Sequence, residues 1–274
     1  MKITLIIATR NASDCIEETL QSIVKQEHND IQLIIVDGRS DDGTLEILKK
    51  YTDAIDVLIS EYDDGIYDAW NKGCKYIEGE WVQFLGAGDV LPSKDTYKNV
   101  VPYLIAAYPK YEMVYGDLEL IWPTTKKVVE KISIPYERMK KRWVTARPLT
   151  PVHPEVFSHC SLFKAHSFDK KYKMAGDLKF MLQSMQRRDP LYINVLVDKM
   201  LLGGLSSDVR HLELAELEKK MVISELGISV PKSEVLLSWL KFNAKLSILK
   251  YFPGQYLKII TNMYRKIMMK NSYD

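Results

Sequence analysis

Polar residues that can bind a ligand are concentrated in the segment SEYDDGIYDAWNKG, residues 60–73. The segment contains three carboxylates, an amide and an ammonium: Asp63, Asp64, Asp68, Asn71 and Lys72. Carboxylates accept hydrogen bonds and bind hard cations, whereas an ammonium binds anions. Because an apolar run lies on each side, the segment joins the end of a strand to the start of a helix. We therefore expect it to form part of a binding site at the mouth of a sheet.

The first half of the sequence alternates short apolar runs with helical patterns. Strands are predicted at 2–8, 31–36, 54–60 and 80–86, and helices at 13–26, 42–51 and 67–77. Nearly continuous Ile, Val and Leu runs between helices are typical of a parallel sheet that is covered on both faces. The predicted fold class is therefore α/β, with a doubly wound, mostly parallel sheet.

All four predicted strands end in polar residues, namely TRN at 9–11, DGRSDDG at 37–43, EYDDG at 61–65 and GAGD at 86–89. Ligands of open α/β sheets bind outside the carboxyl ends of the strands. From the residues alone, Asp37 either contacts a base or ribose or caps the next helix. Asp89 either reaches a ligand or is an ordinary turn aspartate. Together the four ends predict one binding edge.

The second half of the sequence is less regular. Strands are predicted at 112–120, 126–132, around 160–163 and at 191–197, a loop at 137–158, and helices at 177–187, 209–226, 233–250 and 254–270. The composition changes near residue 208. We therefore predict one domain at 1–208 and a basic amphipathic helical tail at 209–274.

Composition and missing motifs disfavour several classes of protein. The net charge of +2 over 274 residues gives no reason to expect a nucleic-acid partner, and the three cysteines lack metal-ligand spacing. The cysteines are also odd in number and far apart, so we expect a reduced, cytoplasmic protein, and no apolar run approaches the length of a membrane span. The turn ATRNASD lacks the glycines of a dinucleotide fingerprint, and Walker and G-x-S-x-G motifs are also missing. A dehydrogenase, an ATPase and a serine hydrolase are therefore disfavoured.

The charge of the chain is unevenly distributed. Residues 228–274 contain eight basic and two acidic residues, a net charge of +6, which leaves 30 basic and 34 acidic residues, or −4, for the rest. In 256–270, apolar residues recur at helical spacing and most basic residues lie off that face. Such a helix either lies on an anionic membrane surface or packs on the protein body or on another subunit. Both possibilities stay open. If the helix packs on another subunit, the protein is a homo-oligomer.

Longer stretches of the sequence resemble family 2 glycosyltransferases, which have the GT-A fold. IIATRNASDCIEETLQSIVKQ and IQLIIVDGRSDDGTLEIL resemble the family's opening strand, T-x-N and V-D-G-x-S-x-D-G-T pattern. SEYDDGIYDAWNKG resembles a bacterial branch that has S-E-x-D-x-G-I-Y-D-A-x-N-K-G, followed by G-E-W and F-L-x-x-G-D. HCSLFKAHSFDKKYKMAGDLKFML and GGLS resemble the acceptor-side segment and closing loop of that branch. The resemblance covers roughly residues 1–207.

The resemblance implies a nucleotide-sugar donor and a divalent cation, Mg²⁺ or Mn²⁺, at the polar strand ends. Thr9 and Asp37 would hold the nucleoside, and Asp89 would reach the cation that bridges the two phosphates. The floor under ribose and diphosphate would be formed by Asp64, Gly65, Asp68, Asn71 and Lys72. The usual D-x-D pair of acids is reduced to GAGD, so cation binding would depend strongly on the phosphates of the donor.

The resemblance also implies an acceptor side. Asp177, in AGDLKF, matches the general base of the family, although from the residues alone it indicates a helix N-cap. His159 matches a histidine before the acceptor loop, or is a core histidine. Trp143 and Arg147 are candidates for lining the acceptor site. The Arg142–Trp143 pair precedes Asp177, so it does not match the later Q-x-x-R-W signature of processive members.

The combined prediction is an inverting, non-processive glycosyltransferase. It would move one sugar from a nucleotide-sugar donor, with a UDP-sugar favoured, to a lipid-linked or oligosaccharide acceptor. Such an enzyme would act in bacterial surface-polysaccharide synthesis, in the cytoplasm and peripherally at the inner face of the membrane. A sugar nucleotidyltransferase is the alternative enzyme, but it should have a Gly-rich loop with Arg or Lys after the first strand. A glycan- or nucleotide-binding module without turnover is the non-enzymatic alternative.

Overall fold

Strands and helices alternate in the first half of the chain, and the second half extends the same sheet. The computed structural model describes residues 1–145, 148–202 and 209–251. The strands are β1 (Ile3–Thr9), β2 (Ile31–Asp37), β3 (Val57–Ser60), β4 (Trp81–Gly86), β5 (Met113–Ile121), β6 (Val128–Ile132), β7 (Val156–His159) and β8 (Leu191–Leu201). The helices are α1 (Ile16–Val24), α2 (Thr44–Lys49), α3 (Ile66–Cys74), α4 (Thr96–Ala107), α5 (Tyr136–Thr145), α6 (Ser161–Ala165), α7 (Gly176–Arg187), α8 (Val209–Glu225) and α9 (Lys232–Tyr251).

The strands β1 to β4 form the parallel half of the sheet, in the order β3-β2-β1-β4. Side chains on both faces of β1 and β2 are buried, as a parallel sheet between two layers of helices requires. Thr9 lies opposite Asp37, Asp37 opposite Ser60, and Ala8 opposite Gly86. The carboxyl ends of the four strands therefore lie along one edge of the sheet, which we call the rim.

The strand β7 reverses direction beside β4. It pairs antiparallel with β4, so that His159 lies opposite Trp81 at the start of β4. The strand β5 pairs antiparallel with β7 and β6 and parallel with β8. Because β7 runs away from the rim, the residues just before it lie near the rim, whereas its last residue lies at the opposite end.

The described chain contains two compact units. The first combines residues 1–140 with 149–228, and the second combines 141–148 with the residues from 229 onward. The first unit therefore continues through α8, beyond the predicted division at 208. None of the described helices is long and apolar enough to cross a membrane.

Two parts of the predicted secondary structure are wrong. The predicted strand at 160–163 is the helix α6, and the predicted loop at 137–158 contains α5 and β7. The short strand β7 forms because β4 and β5 pair with it on both sides, and such tertiary pairing leaves little trace in four residues. The predicted helices at 209–226 and 233–250 are confirmed as α8 and α9, and the predicted helix at 254–270 lies outside the described residues.

Candidate active site

The buried carboxylate of Asp37 organises the rim at the end of β2. It accepts hydrogen bonds from the Ser40 amide at 3.0 Å, the Ser40 hydroxyl at 2.5 Å and the Ser60 hydroxyl at 2.8 Å. Asp37 does not cap a helix, because α2 begins only at Thr44. Its neighbour Thr9 buries Oγ1 without a hydrogen-bond partner among the described residues. An unpaired buried hydroxyl is costly, so this feature of Thr9 fits its predicted role in holding a ligand, which stays a prediction.

The segment that first suggested a binding site turns from β3 into α3. Gly65 has a φ of +117°, which favours glycine, and the helix begins at the next residue. The Asp68 carboxylate in the first turn pairs with Lys72 at 3.4 Å, and Lys72 also donates to a backbone carbonyl of the preceding loop at 2.6 Å. Asp64 stays exposed beside this pair. The predicted donor floor is thus one continuous turn whose charges are already partly balanced.

Helix α3 is also tied to the segment that precedes α7. The amide of Asn71 donates to the Phe168 carbonyl at 2.8 Å, and its oxygen accepts from the Phe168 amide at 2.9 Å. Asp68 accepts from Lys170 at 3.0 Å. Both ends of the Asn71 side chain are therefore engaged in joining the predicted donor floor to the segment that carries Asp177.

Asp89 occupies the turn after β4 and is 5% exposed. Its Oδ2 accepts from the Gly86 amide at 2.6 Å, and Oδ1 has no hydrogen-bond partner in the described part of the chain. Burial disfavours the charged form and raises the pKa of this carboxyl to about 6. A cation bound at Oδ1 would favour the ionised form of Asp89.

A second buried carboxylate, Asp198 on β8, was not part of the predicted site. Lys199, the next residue, forms a bridge with Val90, which brings Asp198 beside the turn of Asp89. Neither oxygen of Asp198 accepts a well-formed hydrogen bond from a described residue. Burial and the nearby Asp89 raise the pKa of Asp198 well above its usual value. One acid within the apolar strand LYINVLVDKML is the sequence signal that could have revealed it.

The rim offers a divalent cation part of a coordination shell. No group of three or more Cys, His, Asp or Glu residues able to hold a metal occurs among the described residues. The free Oδ1 of Asp89 is nevertheless the hard oxygen donor that Mg²⁺ and Mn²⁺ prefer. Ions of this kind commonly keep one or two carboxylates and take their other ligands from phosphates and water. The residues present therefore fit a cation that arrives with a diphosphate.

Asp177, the predicted base, lies in the first turn of α7. Its Oδ1 accepts from the Tyr67 hydroxyl at 2.9 Å and from the Leu178 amide at 2.8 Å. A Cβ on Gly176 would approach the Tyr67 ring to 2.8 Å, so only glycine lets the two elements come this close. Both bonds use Oδ1, which leaves Oδ2 as the oxygen able to receive a proton.

Two histidines, one just before β7 and one at its last residue, lie at opposite ends of the sheet. His153 is buried near the rim, stacked on Trp70 with ring centroids 4.6 Å apart. Burial lowers its pKa to about 4, while the nearby charge of Asp177 acts in the opposite direction. His159 stacks on Tyr108 at 3.7 Å and lies beside the start of β4. The structure thus brings His153, and not the predicted His159, to the side of Asp177.

Three parts of the predicted acceptor side are not described by the structure. The side chain of Trp143, all of Arg147 and the GGLS segment at 203–206 lie outside the described residues. Their place on an acceptor side stays a prediction.

Comparison with known proteins identifies the family. The model of glycosyl transferase family 2 matches residues 4–170, which is more than half of the sequence. The chain belongs to glycosyl transferase family 2. The resemblance stated from the sequence is thereby confirmed. Asp177 and α8 lie beyond the matched residues, so the family match itself says nothing about them.

Curated relatives of this family member are named as glycosyltransferases. It is 35% identical over 118 residues to a PGL/p-HBAD biosynthesis glycosyltransferase of Mycobacterium bovis, a match that covers 42% of this chain and 46% of the relative. It is 25% identical over 227 residues to the poly(ribitol-phosphate) beta-N-acetylglucosaminyltransferase TarS of Staphylococcus aureus, covering 78% of this chain and 37% of TarS. The chain thus spans less than half the length of these relatives.

Solved structures confirm the GT-A fold class. The mannosyltransferase PcManGT from Pyrobaculum calidifontis, in complex with GDP-Man and Mn²⁺, matches with a TM-score of 0.64 at 18% identity, over 99% of this chain and 81% of that one. S. aureus TarS 1–349 in complex with UDP-GlcNAc matches with a TM-score of 0.62 at 17% identity, over 99% and 79% of the two chains. The predicted mostly parallel α/β sheet with C-terminal helices is confirmed.

Proposed function

We propose that this chain is an inverting, non-processive glycosyltransferase that moves one sugar from a UDP-sugar to a lipid-linked glycan of a bacterial surface polysaccharide. The observation that carries the proposal is the rim, where Thr9, Asp37 and Asp89 meet at the ends of neighbouring strands. Beside it Tyr67 holds Asp177. UDP is the favoured nucleotide because TarS binds UDP-GlcNAc, although PcManGT binds GDP-Man.

The proposed reaction is a single displacement. Oδ2 of Asp177 removes the proton of the acceptor hydroxyl while that oxygen forms a bond to the anomeric carbon, opposite the leaving group. The bond from the anomeric carbon to the diphosphate breaks, and UDP leaves with the electron pair. A divalent cation, when bound, neutralises the charge that develops on this diphosphate. Asp89 would hold that cation, and Thr9 and Asp37 would orient the nucleoside.

Donor binding tests the first half of the proposal. Thermal unfolding is measured with UDP-GlcNAc, UDP-glucose, UDP-galactose, GDP-mannose and dTDP-rhamnose, each with Mn²⁺ and with EDTA. A donor at about a hundred times its Kd stabilises the native state by about 2.7 kcal/mol. We expect Asp89→Ala to weaken donor binding with Mn²⁺ far more than in EDTA, and Asp53→Ala, an exposed acid elsewhere, to change neither. Equal losses with and without Mn²⁺ would remove Asp89 from the cation site.

Product analysis separates the three candidate functions. A glycosyltransferase releases UDP and extends an acceptor, for which octyl glycosides of glucose, galactose and N-acetylglucosamine serve as probes. A sugar nucleotidyltransferase instead consumes inorganic diphosphate, which attacks the α-phosphorus of the nucleotide sugar, so that a nucleoside triphosphate forms and sugar 1-phosphate leaves. A binding module is stabilised by the donor but forms neither product. Release of UDP that increases with an octyl glycoside is the expected result.

We propose further that residues 228–274 attach the enzyme peripherally to the cytoplasmic face of the membrane, where a lipid-linked acceptor lies. Helix α9 supports this proposal because its apolar side chains are about half exposed, and the segment carries a net charge of +6. The exposed residues are Val235, Leu236, Leu237, Trp239 and Leu240. Exposed apolar groups beside basic residues suit the interface of an anionic bilayer. Sedimentation with vesicles of phosphatidylglycerol and phosphatidylcholine, compared with phosphatidylcholine alone, tests this attachment.

A further inference from the structure

Helix α8 contacts the segment that carries the proposed base through one buried carboxylate. Glu218, which is 4% exposed, accepts three hydrogen bonds from successive backbone amides. Its Oε1 lies 2.8 Å from the Lys173 amide, and its Oε2 lies 2.7 Å from Met174 and 3.0 Å from Ala175. These three residues immediately precede α7, whose second residue is Asp177.

We propose that Glu218 is a positioning residue for Asp177. The inference rests on the proposed function, in which Asp177 is the base. Hydrogen bonds from amides to an ionised carboxylate are short and stronger than neutral ones, so three of them fix the backbone of residues 173–175. The entry of α7 is then held from α8, while Tyr67 on α3 holds the Asp177 side chain itself. Two elements far apart in sequence thus determine where the base stands.

A second carboxylate on α8, Glu225, also joins the helix to residues around α7, but it does so through different groups. Glu225 accepts hydrogen bonds from Lys171 at 2.9 Å, Tyr172 at 2.6 Å and Lys179 at 2.5 Å. All three of its partners are side chains, which can adjust without moving the backbone of the α7 entry. Glu225 is therefore the matched control for Glu218. It lies on the same helix and makes the same number of bonds, but it does not contact the backbone next to the base.

The test compares Glu218→Gln with Glu225→Gln in the chain of 274 residues. Transfer from UDP-GlcNAc to octyl glycosides, or from the donor in the panel that stabilises most, gives kcat, and titration gives the donor Kd. A misplaced base lowers kcat because reacting groups must be held in a near-attack geometry. We expect kcat of Glu218→Gln to fall by roughly tenfold or more, with the donor Kd unchanged within about twofold. Glu225→Gln should keep the kcat of the wild type, even if its melting temperature falls as far as that of Glu218→Gln.

Hydrogen exchange supplies a readout that does not depend on activity. The amides of residues 173–175 should exchange slowly in the wild type and in Glu225→Gln, and faster in Glu218→Gln. Unchanged exchange or unchanged kcat in Glu218→Gln overturns the inference, as does an equal loss of kcat in both variants. If Asp177→Asn transfers sugar normally, the base assignment fails and the positioning role fails with it. If Asp177→Asn is inactive while Glu218→Gln is fully active, only the positioning role fails.

Discussion

The two C-terminal helices of this chain follow each other closely but differ in how they meet the rest of the molecule. Helix α8 belongs to the first unit, buries Val222 and directs Glu218 and Glu225 at residues around α7. Helix α9 belongs to the second unit and exposes about half of each of its Leu and Trp side chains at 236–240. One of these helices thus contacts the segment that carries the proposed base, whereas the other presents an apolar surface. The partners of their polar and apolar atoms distinguish the two helices.

The largest effect is expected for a substitution of Asp177. The proposed role of α8 in catalysis depends on Asp177 being the base, so this substitution tests both. Asp177→Asn keeps the shape of the side chain, and its amide oxygen can still accept from the Tyr67 hydroxyl and the Leu178 amide, but it cannot accept the acceptor's proton. We expect transfer to slow by about 10²–10⁴-fold with donor affinity unchanged. Transfer rate and donor Kd are measured on the same preparation.

A near-normal rate for Asp177→Asn would reduce α8 to a stabilising element and remove the main difference from α9. The control is Asp189→Asn, an exposed carboxylate that follows the other end of α7 and bonds Tyr136 and Lys140. It should leave the rate unchanged.

Acidification should affect the two units differently, because the first contains the buried His153. The pKa of a histidine in the unfolded chain is near 6.5, whereas burial lowers the pKa of His153 in the native state to about 4. Between these values the unfolded state binds more protons, so stability falls as the pH falls from about 6.5 towards 4. The full difference corresponds to roughly 3 kcal/mol of unfolding free energy. His153→Phe, which suits the aromatic surroundings, should lose this component.

Urea unfolding of wild type and His153→Phe at about pH 7 and about pH 4.5 measures the difference. Buried acids with raised pKa values, such as Asp89 and Glu155, change stability in the opposite direction, but they are present in both proteins and cancel. The same pH dependence in both would show that His153 is not buried as a neutral ring. Vesicle binding through α9 should not share this dependence.

The sequence predicted the parts of the fold and site that depend on local pattern. Strands β1 to β4 and their polar ends were identifiable because buried parallel strands are continuous apolar runs. His153 and Asp198 were missed because they reach the rim only through tertiary pairing. The reversal of β7 places His153 there, and the contact of β8 with the turn after β4 places Asp198. Glu218 was missed for the same reason, since its three partners lie more than 40 residues earlier in the chain.

A moderate effect on vesicle binding is expected when an exposed apolar residue of α9 is replaced. No such effect is expected for α8. Trp239 is 51% exposed, so burying its exposed half in a bilayer interface should contribute about 1 kcal/mol, roughly half of the usual figure for full burial of a large apolar side chain. Trp239→Ser should therefore weaken binding to phosphatidylglycerol vesicles by roughly fivefold, with kcat on octyl glycosides and melting temperature unchanged. Glu225→Gln should instead lower the melting temperature and leave both kcat and vesicle binding unchanged. If Trp239→Ser lowers the melting temperature and leaves vesicle binding intact, α9 packs on protein.

The smallest expected effect is that of removing α9 altogether. A chain that ends after Ile228 keeps the whole of α8, including all three bonds of Glu218, and loses the Arg142–Glu234 pair at 3.7 Å, which lies within the second unit. Both side chains of this pair are only partly exposed, and a single ion pair near the surface contributes about 0–1 kcal/mol. We expect residues 1–228 to bind UDP-GlcNAc, and to transfer sugar to octyl glycosides, within about twofold of the full chain, since no residue of the proposed site is removed.

A chain that ends at 208, the division predicted from composition, is the comparison for this truncation. It leaves the amides of residues 173–175 without their carboxylate and exposes the surface that Val222 covers, so it should unfold at a lower temperature and transfer sugar more slowly. Melting temperature, donor Kd and kcat of the two truncations are measured side by side. Equal behaviour of the two would mean that α8 is as dispensable as α9. Loss of transfer from 1–228 on a water-soluble acceptor would mean that the second unit contributes to the active site itself.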